Sequence, residues 1–177
     1  MKQIRCTLGT IRDAIAELEE YEKDLQKKVH TLMEKLAEVG IKEATVRFAN
    51  VIYDGTNNVT VNQSPNWISD TKLVVSATGS SITFIEFGAG VFNTEVHPKA
   101  AELGAVRGAY GKGKGKNESW TYYGNEADTA AGGTVVRRGD KTVIRTHGNN
   151  PNRSMYDAAK EMREQITKLA EEVFGHD

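Results

Sequence analysis

Cysteine is nearly missing from this chain: Cys6 stands alone among 177 residues. An internal disulfide is therefore excluded, and such usage fits a reducing compartment. Long apolar runs are missing too. No stretch reaches the roughly 18 residues a membrane-spanning helix requires, and no signal-peptide pattern opens the chain. A soluble product made in the cytoplasm is expected, with no membrane partner, and the sequon-like Asn58-Val59-Thr60 and Asn117-Glu118-Ser119 are then incidental. Net charge is almost nil, 23 basic against 24 acidic side chains, which gives no overall pull toward nucleic acid or lipid. Apolar residues make up only 38% while glycine occurs 17 times. One domain with a modest core is expected, its interior completed by neighbouring subunits.

What is present begins with helical periodicity. Thr10 reads as an N-cap with Asp13 three residues on. Ile11, Ile15, Leu18, Leu25, Val29, Leu32 and Leu36 then recur in steps of three, four or seven, and Gly40 occupies a C-cap position. An N-terminal helix within 1–43 follows, its seam interrupted by Glu22. About 30 residues would span about 45 Å. That is long for a small domain, so part of it packs on another subunit, stands clear, or lies solvated across its own sheet.

Residues 44–88 read as an antiparallel meander: a strand over 44–53, the Asp54-Gly55 turn, Val59-Thr60-Val61, a break at Ser64-Pro65-Asn66, a strand over 72–77, a turn over 78–81 and a fourth strand over 82–87. Residues 89–150 read as an extended glycine-rich arm that becomes ordered on assembly. The arm holds the aromatic cluster Trp120-Thr121-Tyr122-Tyr123 and a small hairpin, 134–136 with 142–144. Within 151–177, Met155, Met162, Ile166, Leu169 and Val173 trace a C-terminal helix that Ser154 caps and Gly175 follows. The fold class is α+β: an antiparallel sheet packed with a long N-terminal helix and a C-terminal helix, plus the arm, in a single domain over 1–177.

The candidate chemistry is sparse. Glu86 sits among Phe84, Ile85 and Phe87, where a charge is expensive to bury unless paired. It marks a site or staples the fold, and an ion pair with an arginine such as Arg107 or Arg145 is favoured over catalysis. Gly88 and Gly90 permit positive φ and a sharp turn after it. Residues 108–114 match G-x-x-x-x-G-K, but Gly115 replaces the Ser or Thr of a P-loop, and neither flanking strand nor helix is present. His30, His97, His147 and His176 lack metal-ligand spacing. No serine lies in a nucleophile elbow, and Glu19-Glu20 and Glu171-Glu172 read as solvated helix faces. Catalytic, cofactor and metal residues are therefore not expected. Lys99, Arg107, Lys112, Lys114 and Lys116, with Trp120, Tyr122 and Tyr123 beyond them, have the loose form of a nucleic-acid surface. The plainer alternative is a solvated loop that pairs with acidic neighbours.

The order of four segments is also informative: 54–61, then Phe84-Ile85-Glu86-Phe87-Gly88-Ala89-Gly90, then Trp120-Thr121-Tyr122-Tyr123-Gly124, then Thr146-His147-Gly148-Asn149-Asn150-Pro151 leading into Ser154-Met155-Tyr156. In that order they resemble the tail-component family of tailed bacteriophages, the tail-completion or neck proteins. Many of those carry a Pro-x-Asp-Thr-Gly-like turn where this chain reads Tyr53-Asp54-Gly55-Thr56. The resemblance implies a virion protein without catalysis or cofactor. It implies a ring, hexameric or dodecameric, where the tail tube meets the head connector or stopper, with tail termination a neighbouring job. Lys112, Lys114, Lys116, Arg137 and Arg138 would then face subunits or the channel, holding passing DNA by phosphate alone. A sequence-independent nucleic-acid-binding module is the alternative.

Overall fold

One helix, α1, spans Leu8–Ala49, about 63 Å at 1.5 Å per residue. The computed structural model describes residues 8–90, 97–106, 109–111 and 117–175. Helix α1 exceeds the expected one at both ends. Thr10 lies inside it, and it runs straight through Gly40, which caps nothing. A Cβ on Gly40 would meet the Met162 sulfur at 2.4 Å, so any larger residue there would require the flexible Met162 side chain to move. Residues 44–49, expected as strand for their β-branched and aromatic content, continue the helix. Ile41, Ala44 and Phe48 are all buried, and their spacing is helical.

Helix α3, Ser154–Phe174, lies antiparallel on the second half of α1. Asp157 meets Arg47 at 2.9 Å, Met162 passes Gly40 and Glu172 meets Lys35 at 3.3 Å. Between them the core gathers Ile41, Ala44, Phe48, Val61, Ile85 and Ala158, with Val59, Ala77, Ile82 and Met155 packed against it.

The strands are short. Strand β1, Thr60–Val61, pairs antiparallel with β4, Ala77–Thr78. Nested between them, β2, Asn66–Ser69, pairs antiparallel with β3, Lys72–Val74. The expected fourth strand is instead a six-residue helix, α2, Ile82–Phe87. Before it, Ser81 and Asn58 exchange hydrogen bonds: the Ser81 hydroxyl and N–H both donate to Asn58 Oδ1, and Asn58 N–H donates back to Ser81 Oγ. The Ile85 N–H then closes the first turn on the Ser81 carbonyl. A six-residue apolar run does not by itself separate strand from helix.

Beyond α2, β5, Ala89–Gly90, pairs antiparallel with β9, Gly148–Asn149. The expected arm contains a three-stranded antiparallel sheet in the order β6-β8-β7: Trp120–Tyr123, Lys141–Thr146, Thr134–Arg138. The hairpin forms as expected, and the aromatic cluster is its third strand. Segment 112–116, with Lys112, Lys114 and Lys116, lies outside the described residues.

Candidate functional site

Glu86 lies at the end of α2, 6% exposed, and points at the start of α3. Its Oε2 accepts the Met155 N–H at 2.9 Å and its Oε1 the Tyr156 N–H at 2.9 Å. Those are two of the donors that every helix leaves unpaired at its N-terminus. A carboxylate there also meets the positive end of the helix dipole. His97, 4% exposed, adds its Nε2 to Oε1 at 3.3 Å. Its Nδ1 accepts the Lys99 N–H at 3.1 Å, which assigns the proton to Nε2 and makes the ring a donor toward Glu86.

The expected arginine partner is thus replaced by a histidine and a helix end. Arg107 lies outside the described residues, and Arg145 donates to Ser119 instead. Ser154, expected as the cap, is the first residue of α3 and accepts from the Asn152 amide. Arg153 holds the cap position at φ 55, with no side-chain cap of its own. The chain is drawn into that left-handed turn because Asn152 N–H and Arg153 N–H donate to the carbonyls of Ile85 and Glu86.

Phe87 packs on His97 with ring centroids 4.5 Å apart, and Tyr156 meets His97 edge-on at 5.4 Å. Tyr110 leans on Phe84, and its hydroxyl donates to the Gly88 carbonyl. Burial pushes the Tyr110 phenol up to about 12. Gly88 and Gly90 hold φ of 82 and 68. Gly88, with ψ 174, occupies a region that is essentially glycine's alone. A Cβ on Gly90 would sit 2.2 Å from the His147 carbonyl oxygen. The four residues expected to matter here, Glu86, Phe87, Gly88 and Gly90, form one junction that joins α2, β5 and α3.

A second buried carboxylate was read only as part of a turn. Asp54, 7% exposed, accepts the Thr146 hydroxyl at 2.7 Å and the Ala131 N–H at 2.7 Å. Nearby Asp128 accepts the Asn125 N–H at 2.9 Å, and its carbonyl accepts the Tyr122 hydroxyl at 2.8 Å. Burial first, then the negative charges of Asp128 and Asp54, push the phenols of Tyr53 and Tyr122 upward. This cluster fastens the turn at 53–56 onto the three-stranded sheet. Sequence reasoning missed Asp54 and Thr146 because they meet across 92 residues, and His97 and Asp128 because they sit in loops with no periodicity to signal their burial.

Neither carboxylate faces open space, and each has both oxygens occupied by protein donors. A cleft of about 300 Å³ beside β9 is lined by Asn50, Asn149, Asn150 and Asn152 among others. The Asn50, Asn149 and Asn152 amides already donate to the carbonyls of Val46, Phe84 and Arg47. Among the described residues, no group of three or more His, Cys, Asp or Glu is placed to hold a metal. Among the same residues no helix is long and apolar enough to cross a membrane.

Two surfaces remain. Arg137 and Arg138 are exposed beside the β7–β8 turn, where Arg137 pairs with Glu126 at 3.2 Å and Lys141 lies over the Tyr123 ring. The larger surface is the first half of α1. Helix α3 ends near Lys35, and the β2–β3 hairpin reaches only to His30, which bonds the Asp70 carbonyl and stacks on Trp67. Ahead of that point Ile11, Ile15, Leu18, Tyr21 and Leu25 are 40% to 67% exposed. No family model, curated protein or solved structure matches this chain.

Proposed function

We propose that this chain is a structural virion protein of a tailed phage or prophage, a ring subunit at the head–tail junction that joins the tail tube to the head connector. The observation that carries the reading is the apolar stripe on the first half of α1, which the described residues leave exposed. Large exposed apolar patches mark surfaces that another protein covers. Among the described residues the outer edges of β6 and β7 have no ladder partner, which supports it further, since an unpaired edge accepts a strand from a neighbour. The buried carboxylates Glu86, Asp54 and Asp128 all accept from structural donors, which favours assembly over catalysis. The ordered motifs from Glu86 to Ser154 supply the choice of the neck among assembly roles. Electron microscopy of the chain mixed with connector and tail-tube proteins tests the reading. Rings of fixed diameter are expected; a chain that stays monomeric beside those partners refutes it. A reconstruction of the joined neck separates tail completion from tail termination.

A sequence-independent nucleic-acid contact is the second reading, favoured by exposed Arg137 and Arg138 near Lys141. Filter binding across a salt series decides it. Phosphate contacts require affinity to fall steeply from about 50 to 200 mM salt, and a flat profile rejects them.

A further inference from the structure

We infer that the exposed half of α1 pairs with the same segment of a second copy, antiparallel, about a two-fold axis. Ile11, Ile15, Leu18, Glu22, Leu25, Val29, Leu32 and Leu36 advance in strict alternating steps of four and three, the heptad spacing of a coiled-coil seam. Leu18, Leu25 and Leu32 take one core position, and Ile15, Glu22 and Val29 the other. Among the described residues, α3 covers the second half of α1 and the β2–β3 hairpin reaches His30; ahead of that point Ile11, Ile15, Leu18 and Leu25 stay exposed.

Charge selects the occupant and its direction. Residues 11–22 carry Arg12 against Asp13, Glu17, Glu19, Glu20 and Glu22, whereas 23–36 carry Lys23, Lys27, Lys28 and Lys35 against Asp24 and Glu34. A parallel pair would lay the acidic half along its own duplicate and set Glu22 against Glu22 in the seam. The antiparallel pair lays acidic against basic. One register then aligns Ile15 with Leu32, Leu18 with Val29 and Glu22 with Leu25, each twice about the axis. It also brings Glu19 beside Gln26 and Tyr21 beside Lys28. Glu22 weakens the pair while fixing its register, as a lone polar seam residue does. Such a two-fold contact is closed, unlike the head-to-tail contact that repeats around a ring. It therefore belongs to the free subunit and stands apart from the neck reading.

The test uses the full chain with Cys6→Ser and a spin label at Asp13→Cys, an outward position of the heptad. Antiparallel pairing offsets the two labels by 21 residues along the bundle, roughly 30 Å, which with the lateral separation across the pair puts them about 35 Å apart. Parallel pairing holds them within about 20 Å. A dimer by sedimentation with the longer distance is expected. Leu18→Glu with Leu25→Glu should return the chain to monomer without moving the thermal transition of the body, since neither side chain packs there. Glu22→Leu should tighten the dimer about tenfold or more. A chain monomeric at every concentration, or a distance distribution lacking the peak near about 35 Å, overturns the inference. Either result leaves ring formation with connector and tail-tube proteins to be judged by its own experiment.

Discussion

Glu86→Gln keeps the side chain's shape and removes its charge. One oxygen still accepts a helix N–H, but the new amide presents donors where Oε2 receives the Met155 N–H, so donor faces donor. A hydrogen bond to a charged group contributes about 1.5–3 kcal/mol, and a partly buried charge at a helix end adds as much as about 2. Relief of the carboxylate's own burial penalty offsets part of that sum. Helix α3 has no side-chain cap of its own to substitute. The net expectation is a loss of about 2–3 kcal/mol, which for a chain of this size lowers Tm by roughly 5–10 °C. Urea denaturation followed by circular dichroism measures it, with m unchanged if the folded state is otherwise intact. His97→Ala should cost less, since the two backbone donors remain paired. A Glu86→Gln variant within about 0.5 kcal/mol of the parent would refute the staple, because surface changes have that size.

Three further predictions rest on the same junctions. Gly90→Ala must place a Cβ against the His147 carbonyl and the Trp120 ring at φ 68, so a loss of about 3 kcal/mol or more is expected by urea denaturation. A neutral outcome would contradict the β5–β9 geometry. Thr146→Val strips the buried Asp54 of one donor and should cost about 1–3 kcal/mol, measured the same way; unchanged stability would mean Asp54 is hydrated. At high pH, Tyr110 ionises at about 12 when folded against 10 ordinarily. Its contribution is thus complete below pH 10 and disappears as pH rises from 10 to about 12. Tyr110→Phe should flatten that part of the Tm profile, and an unaltered alkaline slope would show that the phenol is not shielded.

How much of this could be read in the residues depends on where each residue's partner lies. Helix α3 and the β7–β8 hairpin were legible because their period and turn glycines are local, and the α+β class followed from them. The end of α1 was not. Thr45, Val46 and Phe48 have strand-like identities, and only packing of Ala44 and Phe48 against Val61, Ile85 and Ala158 makes them helical. Helix α2 was missed because six apolar residues fit either period. The aromatics of β6 read as part of an arm because glycine surrounds them, while their ladder partner β8 lies some twenty residues on. Glu86 was legible as a buried charge needing company. Its company was not, since a cap supplied 69 residues away leaves no capping-box spacing to find.

The sequence leads one to expect an extended arm over 89–150 and an N-terminal helix that packs on another subunit, stands clear or lies solvated across its own sheet. In the described residues the projecting element is α1, and the account turns on whether its first half waits for a partner. Hydrogen exchange over residues 9–29, in the dilute chain and again after assembly with connector and tail-tube proteins, tests that claim most directly. Rapid exchange in the dilute chain and strong protection after assembly are predicted, with residues 37–48 protected in both. Equal protection of 9–29 in a free chain dilute enough to be monomeric and after assembly would contradict the account, because it would mean the stripe is already covered without a second copy or any other neighbour.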